Sequence, residues 1–158
     1  MKPSMIMEPL NGWVTVSITR RRLELPKMIL LDTHIWVKWI VNGNLDLSET
    51  IVKAMSLDSH LAVSAISCFE VSLLVKRGKL KLLLSVEDWL KEALDNSGVE
   101  SLSVTCDIMH KAVKLSDVHR DPADRIIIAT SLLYDAKLAS LDSVFPEYKE
   151  LQGRLLGK

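Results

Sequence analysis

Cysteine is scarce in this chain, and its placement excludes two common kinds of site. The two cysteines, Cys68 and Cys106, form no CxxC pair of the kind that binds zinc or carries out thiol redox chemistry. Nor do they make the disulfide framework of a small secreted domain. We therefore expect reduced, partly buried thiols in a cytoplasmic protein.

Long apolar runs and an excess of charge of either sign are also missing. The sequence has no stretch of about 18 apolar residues, so we expect no membrane span. Its 20 basic and 20 acidic residues cancel, which argues against a protein that binds nucleic acid through overall positive charge. Binding of a polyanion would then require a local patch or a bound metal. The arginines at 20–22 follow an apolar stretch, which is the wrong order for a secretory signal.

The chain is long and apolar enough for one well-packed domain. It has 158 residues, of which 48% are hydrophobic and 25% are charged, close to the values of ordinary globular domains. Residues 1–27 differ from the rest, because a short alternating stretch is followed there by three arginines and Pro26. We interpret 1–27 as an N-terminal extension, either disordered or the product of a misassigned start, and 28–158 as the domain.

From Met28 onward, apolar strand patterns alternate with helical patterns. Strands are predicted over 28–31, 61–64, 99–104 and 137–141. Helices are predicted over 47–57, 66–77, 106–117 and 122–134, and two further amphipathic patterns begin near Ile35 and Val86. Such alternation is typical of an α/β fold with a parallel sheet covered on both faces.

Four acidic residues lie where predicted strands end or where the following helices begin. They are Asp32, Glu70, Asp124 and Asp142. Ligands of open parallel sheets bind at the carboxyl ends of the strands, so these side chains can meet in one cleft. Clustered carboxylates are costly unless a cation compensates their charge. The pattern therefore predicts a site for a hard divalent metal.

Each acid also has a simpler interpretation. Asp32 is a good N-cap for a helix that begins at Thr33, and Asp121 before Pro122 is a clear N-cap as well. Asp142 before a serine is typical of a turn. Glu70 is harder to explain, because it shares a helical stripe with apolar residues. The occurrence of all four acids at one predicted edge favours the metal site.

The sequence from Met28 to about Tyr148 resembles PIN-domain ribonucleases, specifically the VapC-type toxins of toxin–antitoxin pairs. The segments that carry the resemblance are LLDTHIW (30–36), SAISCFE (64–70), HRDPADRIIIAT (119–130) and SLD (140–142). Two departures are mild: Phe69 stands where many relatives have Trp, and Ser140 stands where Thr is frequent. Residues 1–27 have no counterpart.

The resemblance implies a fold, an activity and partners. The fold is a three-layer α/β/α sandwich with a central parallel sheet, and the activity is cleavage of RNA phosphodiester bonds by a water that a divalent metal activates. An all-oxygen ligand set favours Mg²⁺ or Mn²⁺. Asp32 and Asp124 are then the principal ligands, completed by Glu70 and Asp142. The expected partners are the RNA substrate, a cognate antitoxin and a second copy in a homodimer.

A second group of residues lies around this acidic set. Asp121 is expected mainly to cap a helix, with a metal role as the alternative. The hydroxyls of Thr33 and Ser140 either hold a ligand or water, or cap locally. Arg125 either contacts RNA phosphate or pairs with one of the acids. The basic residues between 76 and 81 form either a solvated loop or a phosphate-binding patch.

Two other functions use the same features. One is a different metal-dependent phosphatase or phosphotransferase, although Asp32-Thr33-His34 lacks the second aspartate of a haloacid-dehalogenase nucleophile motif. The other is a non-catalytic PIN-like module that binds protein or RNA, which the loss of an acid would favour. A dinucleotide site is not indicated, since GxGxxG does not follow the first strand.

Overall fold

The fold is described from a computed structural model over residues 27–56 and 59–157. The five strands are β1 (Met28–Leu31), β2 (His60–Ser64), β3 (Glu100–Leu102), β4 (Lys137–Ala139) and β5 (Leu155–Leu156). The six α-helices are α1 (Thr33–Asn42), α2 (Glu49–Ser56), α3 (Ala65–Lys76), α4 (Val86–Lys91), α5 (Cys106–Val113) and α6 (Pro122–Leu133). A π-helical turn (Glu92–Asn96) continues α4, and short 3₁₀ helices span Phe145–Glu147 and Lys149–Leu151.

All strand pairs are parallel, and the strand order is β3-β2-β1-β4-β5. Leu30 of the central strand is aligned with Ala62 on one side and with Leu138 on the other. Because every strand runs in the same direction, the carboxyl ends of β1, β2 and β4 lie at one edge of the sheet. The residues that follow these strands are therefore neighbours in space.

Alternation along β1 divides the interior into two cores. Ile29 and Leu31 face a core built with α1, α2, α3 and α4. Leu30 faces the opposite core, built with α6 and the 3₁₀ helices, and α5 packs on the outside of α6. The result is the expected three-layer α/β/α sandwich, with a sheet that is buried on both faces.

Trp36 of α1 anchors the first core. Its ring is fully buried, its Nε1 donates to the carbonyl of Ala93 at 3.1 Å, and it meets the ring of Trp89 edge to face at 5.1 Å. The contact fixes α1, and with it the residues at its N-terminus, against the π-helical turn.

The predicted strands and helices are confirmed in type and order, but several bounds differ. The helix predicted over 106–117 already ends at Val113. The third and fourth strands are shorter than predicted, since only Glu100–Leu102 and Lys137–Ala139 pair in the sheet. The strand Leu155–Leu156 was not predicted, because two residues carry no readable periodicity. The segment 1–26, most of the predicted extension, lies outside the described residues. None of the helices in the described ranges is long and apolar enough to cross a membrane.

Candidate active site

Asp32 lies directly after β1 and is 4% exposed. It occupies the N-cap position of α1, yet its side chain makes no capping hydrogen bond. The cap interpretation of Asp32 is therefore confirmed for its position but not for its side chain. Its Oδ2 instead accepts a hydrogen bond from Ser140 Oγ at 2.8 Å. Burial raises the pKa of Asp32, and the hydrogen bond from Ser140 and the nearby His34 lower it in part.

Ser140 joins the end of β4 to the end of β1. While its hydroxyl donates to Asp32, its oxygen accepts from the backbone N–H of Asp142 at 3.0 Å. Asp142 is exposed, and its Oδ1 accepts from the backbone N–H of Val144 at 2.7 Å, so the predicted turn role of Asp142 is confirmed. Its second carboxylate oxygen makes no hydrogen bond within the described residues.

Glu70 is held from the N-terminus of α1. Thr33 Oγ1 donates to Glu70 Oε2 at 2.5 Å, and the same hydroxyl lies 2.8 Å from Ser67 Oγ. Ser67 is fully buried, one turn before Glu70 on α3. Burial raises the pKa of Glu70, and the hydrogen bond from Thr33 opposes that rise.

Asp121 and Asp124 lie at the N-terminus of α6. Asp121 Oδ1 accepts from the backbone N–H of Ala123 at 2.8 Å, as predicted for the N-cap. Asp124 is one turn inside the helix, and its Oδ2 lies 3.4 Å from Nδ1 of His119. Burial, together with the surrounding acids, raises the pKa of Asp124 to about 7.

The carboxylates of the five acids affect one another electrostatically, which places them in a single cluster. Asp121, Asp32, Glu70 and Asp142 all raise the pKa of Asp124. Asp32 and Asp121 raise the pKa of Glu70, and Asp142 raises that of Asp32. Residues separated by up to 110 positions in sequence thus form one acidic cluster at the carboxyl edge of the sheet.

Arg125 has a different role from the two that the sequence suggested. Its guanidinium donates to five backbone carbonyls between α5 and α6, at distances from 2.9 to 3.3 Å: those of Ala112, Val113, Leu115, Ser116 and His119. It forms no ion pair with any acid of the described residues. These contacts satisfy carbonyls at the C-terminus of α5 that have no partner within the helix, so Arg125 fastens this loop to α6.

The donor set fits a hard divalent cation. Every group in the cluster is a carboxylate or hydroxyl oxygen, the ligand type that Mg²⁺ and Mn²⁺ prefer. A cation would offset the burial and the repulsion that raise the pKa values of Asp32, Glu70 and Asp124. Over residues 27–56 and 59–157, no three His, Cys, Asp or Glu side chains already stand close enough to hold an ion unaided. Water completes much of a typical Mg²⁺ shell, so few protein ligands are required.

Two neighbours of the site were not predicted. Ser67 was missed, although a small polar residue three positions before an acid on one helix indicates a shared face. Lys38 was missed because a lysine on an amphipathic helix is ordinarily a solvated residue. It lines a cavity of about 240 Å³ together with Asp32, His34, Ile35, Leu141 and Asp142.

The chain, beyond its site, is similar to known proteins. Residues 29–151 match the family model of the PIN domain. A relative with a related sequence is "Ribonuclease VapC22" from Mycobacterium tuberculosis. It is 32% identical over 115 residues, which cover 72% of this chain and 86% of that protein.

Solved structures share the fold at lower identity. The crystal structure of VapBC2 from Rickettsia felis bound to a promoter DNA fragment superposes with a TM-score of 0.59 at 19% identity, over 81% of this chain and 96% of that chain. The DNA-bound VapBC structure from Salmonella typhimurium superposes with a TM-score of 0.58 at 16% identity, over 82% and 96% of the two chains.

Proposed function

This chain belongs to the PIN-domain family, and we propose that it is a metal-dependent endoribonuclease that acts as the toxin of a toxin–antitoxin pair. The relative named as a ribonuclease supports the nuclease activity, and two structural neighbours are VapBC complexes. The observation that carries the proposal is the acidic cluster, in which carboxylates come from four separate segments, and burial together with their repulsion raises the pKa values of Asp32, Glu70 and Asp124. A fold alone does not require that arrangement, whereas a site for a cation and a phosphate does.

We assign Asp32, Glu70, Asp124 and Asp142 to the metal site. Asp32 and Asp124 are the principal ligands: one is buried at the end of the central strand, and burial together with the neighbouring acids raises the pKa of the other to about 7. When bound, Mg²⁺ or Mn²⁺ would make a water more acidic for attack on phosphorus and would offset charge on the phosphate oxygens.

The chain's own residues prepare the carboxylates for this task. The Ser140 hydroxyl donates a hydrogen bond to Asp32 Oδ2, which leaves Asp32 Oδ1 free of that contact. The Thr33 hydroxyl holds one oxygen of Glu70. The N-terminus of α6, which is the positive end of its dipole, favours negative charge at Asp121 and Asp124 and at an incoming phosphate.

An apolar groove supports the antitoxin partner. The α1–α4 groove has a volume of about 500 Å³ and is lined by the end of α1, the segment 81–84 and α4. Val41, Leu83 and Leu84 expose large apolar surface there, and Lys81 and Glu92 lie at its rim. Apolar grooves of this kind accept amphipathic helices. Trp89 contributes the aromatic ring that lines the groove.

Exposed apolar residues on α3 and α5 support a homodimer. Phe69, Met109 and Val113 are exposed. Ile66 of α3 packs against the core between α5 and α6, so α3 and α5 are neighbours. We also place the protein in the cytoplasm, where its two unpaired cysteines would stay reduced.

Cleavage of RNA by the purified protein tests the proposed function. Total RNA is incubated with Mg²⁺, with Mn²⁺ and with EDTA, and Asp32→Asn is compared with Asp95→Asn. Asp95 is a suitable control because it is exposed and lies in the π-helical turn before β3. We expect metal-dependent cleavage that Asp32→Asn abolishes and Asp95→Asn preserves. Metal binding without cleavage of any RNA would instead favour a phosphatase or a non-catalytic module.

A further inference from the structure

The acidic cluster creates a problem for an RNA substrate outside the reacting phosphate. One divalent ion offsets charge at the scissile group, but the neighbouring phosphates still meet five carboxylates, and like charges at such distances repel. Some cation of the chain should therefore meet the RNA backbone next to the site. The basic candidates in the sequence can be compared by where the fold places them.

The basic segment 76–81 is a weaker candidate. Lys76 lies about 9 Å beyond Glu70 along α3, but it does not line the cavity beside Asp32 and Asp142. Arg125 is occupied by five carbonyls. His119 already contacts Asp124.

Lys38 lies where such a cation is needed. It is exposed, it forms no ion pair with the described residues, and it lines the same cavity as Asp32 and Asp142. Its Cα is about 9 Å along α1 from Asp32, and side chains on a helix lean toward the N-terminus, which here points to the acidic cluster. The exposed His34, one turn earlier, lines the cavity between the two.

We propose that the cavity between α1 and Leu141 is the exit track of the RNA backbone, and that Lys38 binds the phosphate next to the scissile one. This inference rests on the proposed ribonuclease function and names the part of the surface that its substrate follows. The ammonium group supplies the positive charge that the acidic cluster lacks. Leu141, which is 44% exposed, offers an apolar contact to the sugar or base on the opposite wall.

Salt dependence tests the contact more specifically than activity does. Each phosphate neutralised on a single strand contributes about 0.7 to the slope of log affinity against log salt. Binding of a short fluorescent single-stranded RNA is measured by anisotropy in EDTA, where no cleavage interferes, for the full chain and for Lys38→Gln, Lys38→Arg and Lys91→Gln. Lys91 is the matched control, because it is exposed on α4 and forms no ion pair with the described residues.

We expect Lys38→Gln to bind more weakly and to lose about 0.7 from the slope, whereas Lys38→Arg and Lys91→Gln keep it. The ratio of wild-type affinity to Lys38→Gln affinity should then fall about 2.5-fold for each fourfold rise in salt concentration. In Mg²⁺, the same variant should raise KM for RNA cleavage with little change in kcat, and an unchanged thermal midpoint would show that the fold is intact.

An unchanged slope and an unchanged KM for Lys38→Gln, in a protein that still cuts RNA, would overturn this inference and leave the ribonuclease proposal in place. If EDTA prevents binding by the wild-type chain, the salt dependence of KM in Mg²⁺ provides the same comparison. A chain that neither binds nor cuts RNA would remove both proposals.

Discussion

Replacing Asp124 by Asn should stabilise the metal-free protein at the expense of its function. The pKa of Asp124 is raised from 3.8 to about 7, and each pH unit of displacement corresponds to about 1.4 kcal/mol. Ionising this carboxyl in the folded chain therefore costs up to about 4 kcal/mol more than in the unfolded chain. Solvent reaches 21% of the side chain, and we halve the figure for screening, to about 2 kcal/mol.

The sign of this effect fixes its pH dependence. The penalty begins above pH 3.8, where the unfolded carboxyl ionises, and it grows until about pH 7, where the folded carboxyl ionises as well. Above pH 7 it is constant. Asn cannot ionise in either state, so Asp124→Asn should gain about 2 kcal/mol at pH 8 and less than half of that at pH 5.

Urea unfolding in EDTA, followed by the fluorescence of the four tryptophans, measures this gain at both pH values. Asp95→Asn serves as the control and should show no pH-dependent gain. Mg²⁺ at a hundred times its dissociation constant should add about 2.7 kcal/mol to the wild type and much less to the Asp124 variant. A variant that is less stable than wild type at pH 8, or equally stabilised at both pH values, would refute the electrostatic reasoning.

Two further substitutions test residues around the cluster. Ser140→Ala removes the hydrogen bond to the buried Asp32 carboxylate, and we expect RNA cleavage to fall about 10- to 100-fold and the acid limb of its pH profile to move to higher pH. Ser140→Thr keeps the hydroxyl and should retain most activity. An Ala variant as active as the wild type would contradict this role. Arg125→Lys keeps the charge but loses the planar guanidinium that reaches five carbonyls. We expect the free energy of unfolding in urea to fall by about 3 kcal/mol, with little change in kcat/KM of the folded enzyme. A raised KM at unchanged stability would instead support a contact between Arg125 and RNA.

Most of the fold could be predicted because its elements are periodic and long. The apolar runs at β1 and β2 and the amphipathic patterns of α1 and α6 reflect burial on one or two faces, which sequence records directly. The edge strand Leu155–Leu156 could not be predicted, since two residues have no periodicity and pair only because β4 is already in place. Pairing of that kind depends on the assembled sheet.

The acidic residues could be selected from the sequence, but not their individual environments. Asp32 and Asp121 both satisfy the rules for an N-cap, and only the structure separates them: Asp121 caps α6, while Asp32 turns to Ser140. Their local sequences are equivalent in this respect. The difference comes from a serine 108 residues away.

The sequence by itself determined the alternating α/β pattern, the family and the four acids, because hydrophobic periodicity and short motifs are local properties. The tertiary structure decided which acids are buried, that Arg125 serves the α5–α6 loop, and that Lys38 shares a cavity with Asp32 and Asp142. These outcomes depend on the parallel order β3-β2-β1-β4-β5, which brings distant segments to one edge. Desolvation and charge repulsion act between neighbours in space, and that neighbourhood exists only once the chain has folded.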